Sequence, residues 1–295
     1  MTDRVDPSDE VREALRSGAP VVALETSVLA HGLPDPWNRQ AAEAMDRAIR
    51  EHGAVPAWTW VGDGRIRIGT GPGDLDPLLE GRAGKVARRD LPPQLAARGL
   101  GATTVSALLW AASRAGIEVA ATGGIGGVHP GAGDVSPDLV ELGRTPGTLV
   151  CSGPKSILDP AATLERLEEL GVGVLGYRCE RLPFFLVREA PLDLEHRAEQ
   201  PAEVAAVAAA RQDLRVESTL LVCNPCPPEV ALPADRVAQA VARCLERTAG
   251  ARGKEVTPFL LACLAEETGG DSLRANLALL ESNSALAARI AAALV

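Results

Sequence analysis

The sequence predicts a single layered α/β domain across all 295 residues, an α/β/α stack around a mostly buried, mixed sheet. Apolar, β-rich runs alternate with amphipathic helical patterns almost from end to end. The strand-like runs are near-continuously apolar, the pattern of strands covered on both faces. No internal repeat, low-complexity tract or linker-like break in composition divides the chain.

Residues 1–19 read as an N-terminal helix or extension, and the first strand is expected at Val21–Thr26. Asn38 then caps a helix whose Met45, Ala48 and Ile49 share one face, and Gly53 stops it. Strands follow at Val55–Val61 and Arg65–Gly69, and the small residues Gly101 to Val105 open a helix. Ile117–Thr122 and Thr148–Ser152 are the next strands; Asp159 and Pro160 start a helix that runs to Leu170 and closes at Gly171. Gly173–Tyr177 and Leu220–Cys223 complete the strands, and the proline- and charge-rich stretch from Leu182 to Pro201 reads as a surface loop or flap. The last helix is expected from Ser272 to Ala293. Leu273, Leu277 and Leu280 form its apolar stripe, with Asn276 and Asn283 beside it.

A net charge of −9 argues against a basic surface for a nucleic-acid polymer, though not against a small anion held by local amides and a lysine. No run of about 18 apolar residues is present, so no membrane-spanning helix is expected. The polar, acidic N-terminus is unlike a signal peptide. The six cysteines read as buried thiols in a reducing, cytoplasmic setting, and the Cys223/Cys226 pair lacks the partners of a zinc site.

Six segments can carry chemistry. Glu25, in Leu24-Glu25-Thr26, is placed at the C-terminal end of a buried strand, where α/β sheets build their sites, and is suited to donate a proton. Lys85 stands close to Arg88 and Arg89, a basic group that fits either a phosphate or a solvated face. Thr104 and Val105 open a helix, which is an anion site or simply a cap. Thr122 to His129 is a glycine-rich turn without the spacing of a dinucleotide loop or a P-loop. Asp134 and Asp138, four apart around Ser136 and Pro137, can hold a hard divalent ion or describe a helix cap. Lys155 follows an apolar strand, where a partly desolvated amine attacks a carbonyl, or where a lysine snorkels over the sheet edge.

In this order, the strings VALETSVLAHGLPDPWN, GKVARRDL, GATTV, ATGGIGGVH, DVSPDL, PKSILD, GKEVTPFLLA and SLRANLALLESNSA resemble the pseudouridine-5′-phosphate glycosidase family from Val21 to Ala288. The resemblance implies a mixed α/β homotrimer with manganese and a ribose 5-phosphate or C-ribosyl phosphate substrate. It implies that Lys155 is the Schiff-base lysine, Glu25 the proton donor and Asp134 the metal ligand. Lys85, Thr104, Val105, Ser136, Pro137 and Asp138 match the sugar-phosphate binders. His129 lines the site and Asn276 contacts the departing base.

The chain departs from the family pattern between His129 and Asp134, where the loop is shorter, at Leu182 to Ala190, and at Asn224-Pro225-Cys226-Pro227. An apolar flap with Phe184, Phe185 and Leu186 would suit a larger aromatic than uracil, which favours C-ribosylation of an aromatic polyketide by a C-glycosynthase. The alternatives are cleavage of pseudouridine 5′-phosphate, and a catalytically silent sugar-phosphate binder that would not need both Glu25 and Lys155.

Overall fold

The computed structural model describes residues 4–131, 134–247 and 256–295. Among the described residues eleven strands join one sheet: β1 (Val5–Pro7), β2 (Val21–Glu25), β3 (Val55–Gly62), β4 (Arg65–Ile68), β5 (Gly84–Val86), β6 (Gly101–Thr103), β7 (Val119–Ala121), β8 (Gly147–Cys151), β9 (Gly173–Tyr177), β10 (Arg197–Ala198) and β11 (Thr219–Cys223). The order is β1-β4-β3-β2-β7-β8-β11-β9-β10, with β6 branching from β3 and β5 from β6. Pairing is parallel except where β3 meets β4 and β6, so the sheet is mixed. Every strand expected from the sequence is present within two residues of its bounds. Four short ones, β1, β5, β6 and β10, were not expected, because two or three residues give no periodicity to read.

The helices are α1 (Asp9–Ser17), α2 (Trp37–Glu51), α3 (Asp76–Leu79), α4 (Leu91–Ala96), α5 (Val105–Ala115), α6 (Pro137–Leu142), α7 (Pro160–Glu169), α8 (Pro201–Asp213), α9 (Ala234–Arg247), α10 (Val256–Glu267) and α11 (Asp271–Leu294). All five residues of β2 are buried, and its side chains divide between two cores. Val22 and Leu24 join Met45 and Ile49 of α2, Val204 of α8 and Leu279 of α11. Val21 and Ala23 join Val11 of α1, Leu108 of α5, Leu139 of α6 and Leu167 of α7. Since successive strand residues point to opposite faces, two cores mean three layers, the expected α/β/α stack.

Local signals behaved unevenly. Asp159 caps α7 by accepting from the Ala162 N–H, as expected. Asn38 is not the cap of α2 but lies inside its first turn, 3 % exposed, where its amide donates to the Leu29 and Leu79 carbonyls. Gly101 to Thr103 is a strand, and the helix begins only at Val105. In α11 the buried face carries Asn276, Leu279, Asn283, Leu286 and Ile290. Of the expected stripe Leu280 is buried, while Leu273 and Leu277 are only partly covered. The long helix packs on several neighbours at once, so a single stripe underdescribes it. α11 also meets the length and composition of a membrane-crossing helix, contrary to expectation. Half of that window is buried inside the protein, against α2, α8 and the sheet.

Two expectations are corrected more strongly. The stretch from Leu182 to Pro201 is a surface loop only in its second half: Glu195, His196, Arg197 and Glu199 are exposed, whereas Leu182, Phe185, Leu186, Val187 and Ala190 are buried, and Leu182 to Leu194 is held by its own backbone hydrogen bonds. Its prolines and charges describe the outward side of a packed segment. Cys244 of α9 and Cys263 of α10 form a disulfide, with Cα atoms 5.8 Å apart. Their separation of 19 residues gave no sign that the two helices meet. The other four cysteines are free and buried, and burial pushes the Cys226 thiol up to about 12, which keeps it protonated and unsuited to a metal.

Candidate active site

The C-terminal ends of the parallel strands β2, β7 and β8 open on one cleft, which divides into two chambers. Glu25, Ser27, Lys85, Lys155 and Thr257 line both. Glu25 ends β2 and is 3 % exposed. Its carboxylate accepts from Thr122 Oγ1 at 2.7 Å on one oxygen and from Ser27 Oγ on the other, so its orientation is fixed from two sides.

Lys155 lies in the loop after β8. That loop is laced to the glycine-rich turn after β7: the Ile125 N–H donates to Gly153 O at 3.0 Å, and the Lys155 N–H to Ile125 O at 3.1 Å. Gly153 has φ +78°, and a Cβ there would collide with the Pro183 carbonyl, so a side chain is excluded on both counts. The packed segment after Leu182 braces the same loop. The Phe185 N–H donates to Ser152 O at 2.7 Å, and Ser156 Oγ donates to Phe184 O at 3.0 Å. Lys155 therefore projects from a loop held on two sides.

The larger chamber has a volume of about 860 Å³. Lys85 reaches it from β5, Thr104 and Val105 from the start of α5, His129, Asp134 and Ser136 from the loop before α6, and Pro137 and Asp138 from its first turn. Burial pushes the pKa of His129 below its usual value; Asp134 pulls it up, and Lys85 and Lys155 push it further down. Of the basic group, Lys85 and Arg89 face the chamber. Arg88 instead pairs at 2.7 Å with Glu141, which is fully buried.

Asp138 lines the chamber and also holds the backbone around it. One of its oxygens accepts from the Ser106 N–H and the other from the Gly126 N–H, each at 3.0 Å. It clasps the start of α5 to the glycine turn, and a Cβ on Gly126 would enter that contact. Both Asp138 oxygens are thus engaged by N–H groups, while Asp134 also faces the chamber. Among the described residues no three His, Cys, Asp or Glu side chains converge on an ion. A divalent ion at Asp134 would therefore rely on water and substrate oxygens for the rest of its shell.

The second chamber, of about 430 Å³, has walls of Val28, Phe185, Pro258 and Leu261 around the polar groups. Asn276 enters it from α11; it is 7 % exposed, and its Oδ1 has no hydrogen-bond partner among the described residues. His31, on the single π-helical turn Val28–Gly32, also lines it. Asn283, two turns along α11, serves a different end. Its amide donates to Thr122 O at 2.9 Å and accepts from Asn224 Nδ2 at 2.9 Å, which fastens α11 to the strand ends.

All residues expected in the site thus line this one cleft. Sequence reasoning missed Ser27, His31 and Thr257, and named Arg89 and Thr122 only as members of the basic group and the glycine-rich turn. Ser27, His31 and Arg89 stand within the strings already singled out, two to six residues from expected site residues. The string GKEVTPFLLA bears on the site through Thr257 and Pro258, while its Gly253, Lys254 and Glu255 lie outside the described residues.

Residues 10–293 match the family model of indigoidine synthase A like protein. The pseudouridine-5′-phosphate glycosidase of Symbiobacterium thermophilum is 48 % identical over 97 % of this chain and 96 % of its own. That of Gemmatimonas aurantiaca is 49 % identical over 97 % of this chain and 94 % of its own. Among solved structures, the prealnumycin C-glycosynthase AlnA in complex with ribulose 5-phosphate superposes with a TM-score of 0.91 at 35 % identity, covering 100 % of this chain and 98 % of that one. An indigoidine synthase A-like protein of Thermotoga maritima gives 0.90 at 39 % identity, covering 97 % and 94 %. The chain belongs to the indigoidine synthase A-like family, which includes the pseudouridine-5′-phosphate glycosidases.

Proposed function

We propose that the protein is a C-glycosidase that converts pseudouridine 5′-phosphate and water to uracil and ribose 5-phosphate. The observation that carries this reading is that Glu25, Lys85 and Lys155 line the seam between a chamber with cationic side chains and one with apolar walls. A sugar phosphate on one side and a flat ring on the other bring C1′ to the lysine.

In the forward direction Glu25 gives a proton to the sugar ring oxygen as Lys155 Nζ attacks C1′, and the C1′–O bond breaks. The new C1′ ammonium returns a proton to Glu25, which delivers it to the ring carbon bonded to C1′. The lysine nitrogen pair then forms the C1′=N iminium, and the C1′–C bond pair passes to the ring and restores its double bond. Water adds to the iminium, and the hydrate collapses to the free lysine and ribose 5-phosphate. Lys85 and Arg89 hold the phosphorylated chain in place. Homotrimeric assembly, manganese at Asp134 and a cytoplasmic location belong to the same proposal.

The sequence alone favoured the synthase direction, with an aromatic polyketide as acceptor. That preference rested on an apolar flap at Phe184, Phe185 and Leu186, of which Phe185 and Leu186 are buried in the core. The relatives at 42–49 % identity are named glycosidases, whereas the C-glycosynthase stands at 35 %. The test is a cleavage assay with pseudouridine 5′-phosphate, paired with borohydride trapping of a ribose 5-phosphate adduct on Lys155. Cleavage and a reducible adduct support the reading. An adduct without cleavage, together with coupling of ribose 5-phosphate to a naphthoquinone, would replace it with the synthase. No adduct would leave a silent binder.

A further inference from the structure

Within the ring chamber, two buried polar atoms lack a hydrogen-bond partner among the described residues: Oδ1 of Asn276 and Nε2 of His31. Such atoms are rare in folded proteins because each forfeits its bond to water without replacement. Nearby groups are not in this state: Ser27, Thr122 and Glu25 satisfy one another. Two orphans in one apolar-walled chamber, both beside the seam lysines, point to a ligand that completes them.

We propose that His31 is the second hydrogen-bonding anchor of the departing ring, acting as a pair with Asn276. Asn276 Oδ1 accepts from a ring N–H, and His31 Nε2–H donates to the carbonyl next to it. The chamber thereby selects a flat heterocycle with an N–H/C=O edge, which a plain hydrocarbon ring does not offer. The inference rests on the C-glycosidase reading and names a residue that reading does not use. The surroundings suit a neutral imidazole: burial and the nearby Lys85 both push the pKa of His31 down. A neutral ring keeps one N–H to donate without placing a third cation beside Lys85 and Lys155. The position is also built in. His31 sits on the one π-helical turn of the described residues, and its main chain follows directly from the strand that carries Glu25.

The test uses the full chain with His31→Phe and His31→Gln. Phenylalanine keeps the ring but removes the donor; glutamine offers an amide N–H in its place. We expect His31→Phe to lower kcat/KM for pseudouridine 5′-phosphate cleavage by about 10- to 100-fold, and His31→Gln to regain most of it. Borohydride trapping with ribose 5-phosphate alone should stay within about twofold in both variants, because the sugar chamber is untouched. Unchanged cleavage in His31→Phe would overturn the proposal. So would an equal loss of cleavage and trapping, which would assign His31 to the fold or the sugar site. Absence of both activities in the unmodified protein would overturn the C-glycosidase reading, and this inference with it.

Discussion

The two chambers of the cleft are built by different means. The larger chamber takes its side chains from segments that lie on or follow a strand or open a helix: Lys85 on β5, Thr104 before α5, and His129, Asp134 and Ser136 after β7. The ring chamber is assembled from parts distant in sequence: the π-helical turn after β2, the packed segment around Phe185, the start of α10 and one face of α11. The first is closely cross-bonded, as Asp138 shows. The second keeps two buried atoms unsatisfied. On the proposed reading, a chamber for a sugar phosphate can be rigid and complete, while one that recognises a ring holds hydrogen bonds open for that ring.

Experiments can break this division or sharpen it. The largest effect is expected at the seam. Lys155→Ala should abolish both the trapped adduct and cleavage, at least about 10⁴-fold below the parent, while circular dichroism stays native. Cleavage persisting in that variant would remove the iminium route. Glu25→Gln comes next: a fall in kcat of about 10²- to 10⁴-fold, with substrate binding retained. Asn276→Ala should affect one chamber only. A loss of roughly 10-fold in kcat/KM with normal ribose 5-phosphate trapping is the expected split. Equal loss in both assays would show that the chambers are not separate. Asn283→Ala should leave the ring specificity alone and instead cost about 1–3 kcal/mol of stability in urea unfolding, because it strands buried partners at the strand ends.

The smallest effect concerns pH. His31 has its folded pKa depressed, so below about pH 6.5, the ordinary value, the unfolded chain takes up a proton that the folded chain resists. Its contribution to stability is present above that pH and lost as the pH falls towards the folded value. His31→Gln should therefore lose less stability on acidification than the parent. Identical pH dependence of the two in unfolding titrations would show that His31 is not held neutral.

The same contrast explains what was legible in the sequence. Glu25, Lys85, Thr104, Asp134 and Lys155 stand at element ends, where chemistry and backbone signals coincide within a few residues, so local reading found them. The α/β/α layering was legible because β2 and its neighbours are apolar without alternation. The ring chamber was misread because its walls depend on packing. Nothing local in the stretch after Leu182 says that Phe185 turns inward, with φ +55°, to meet the Lys155 loop. The clasp that Asp138 makes on the backbone was not legible because its two N–H partners come from residues 32 and 12 positions away. The disulfide was missed for the same reason: pairing across two helices is a tertiary fact.

α11 acts as a ruler. Asn283 is pinned to the strand ends, and Asn276 stands seven residues before it, so about 10 Å of regular helix sets where the ring-facing amide lies. A one-residue insertion or deletion between them would turn Asn276 by about 100° and carry it out of the chamber. Substitutions on the exposed side of the same turns would leave it in place. In evolutionary terms, this stretch should tolerate changes of letter far better than changes of length.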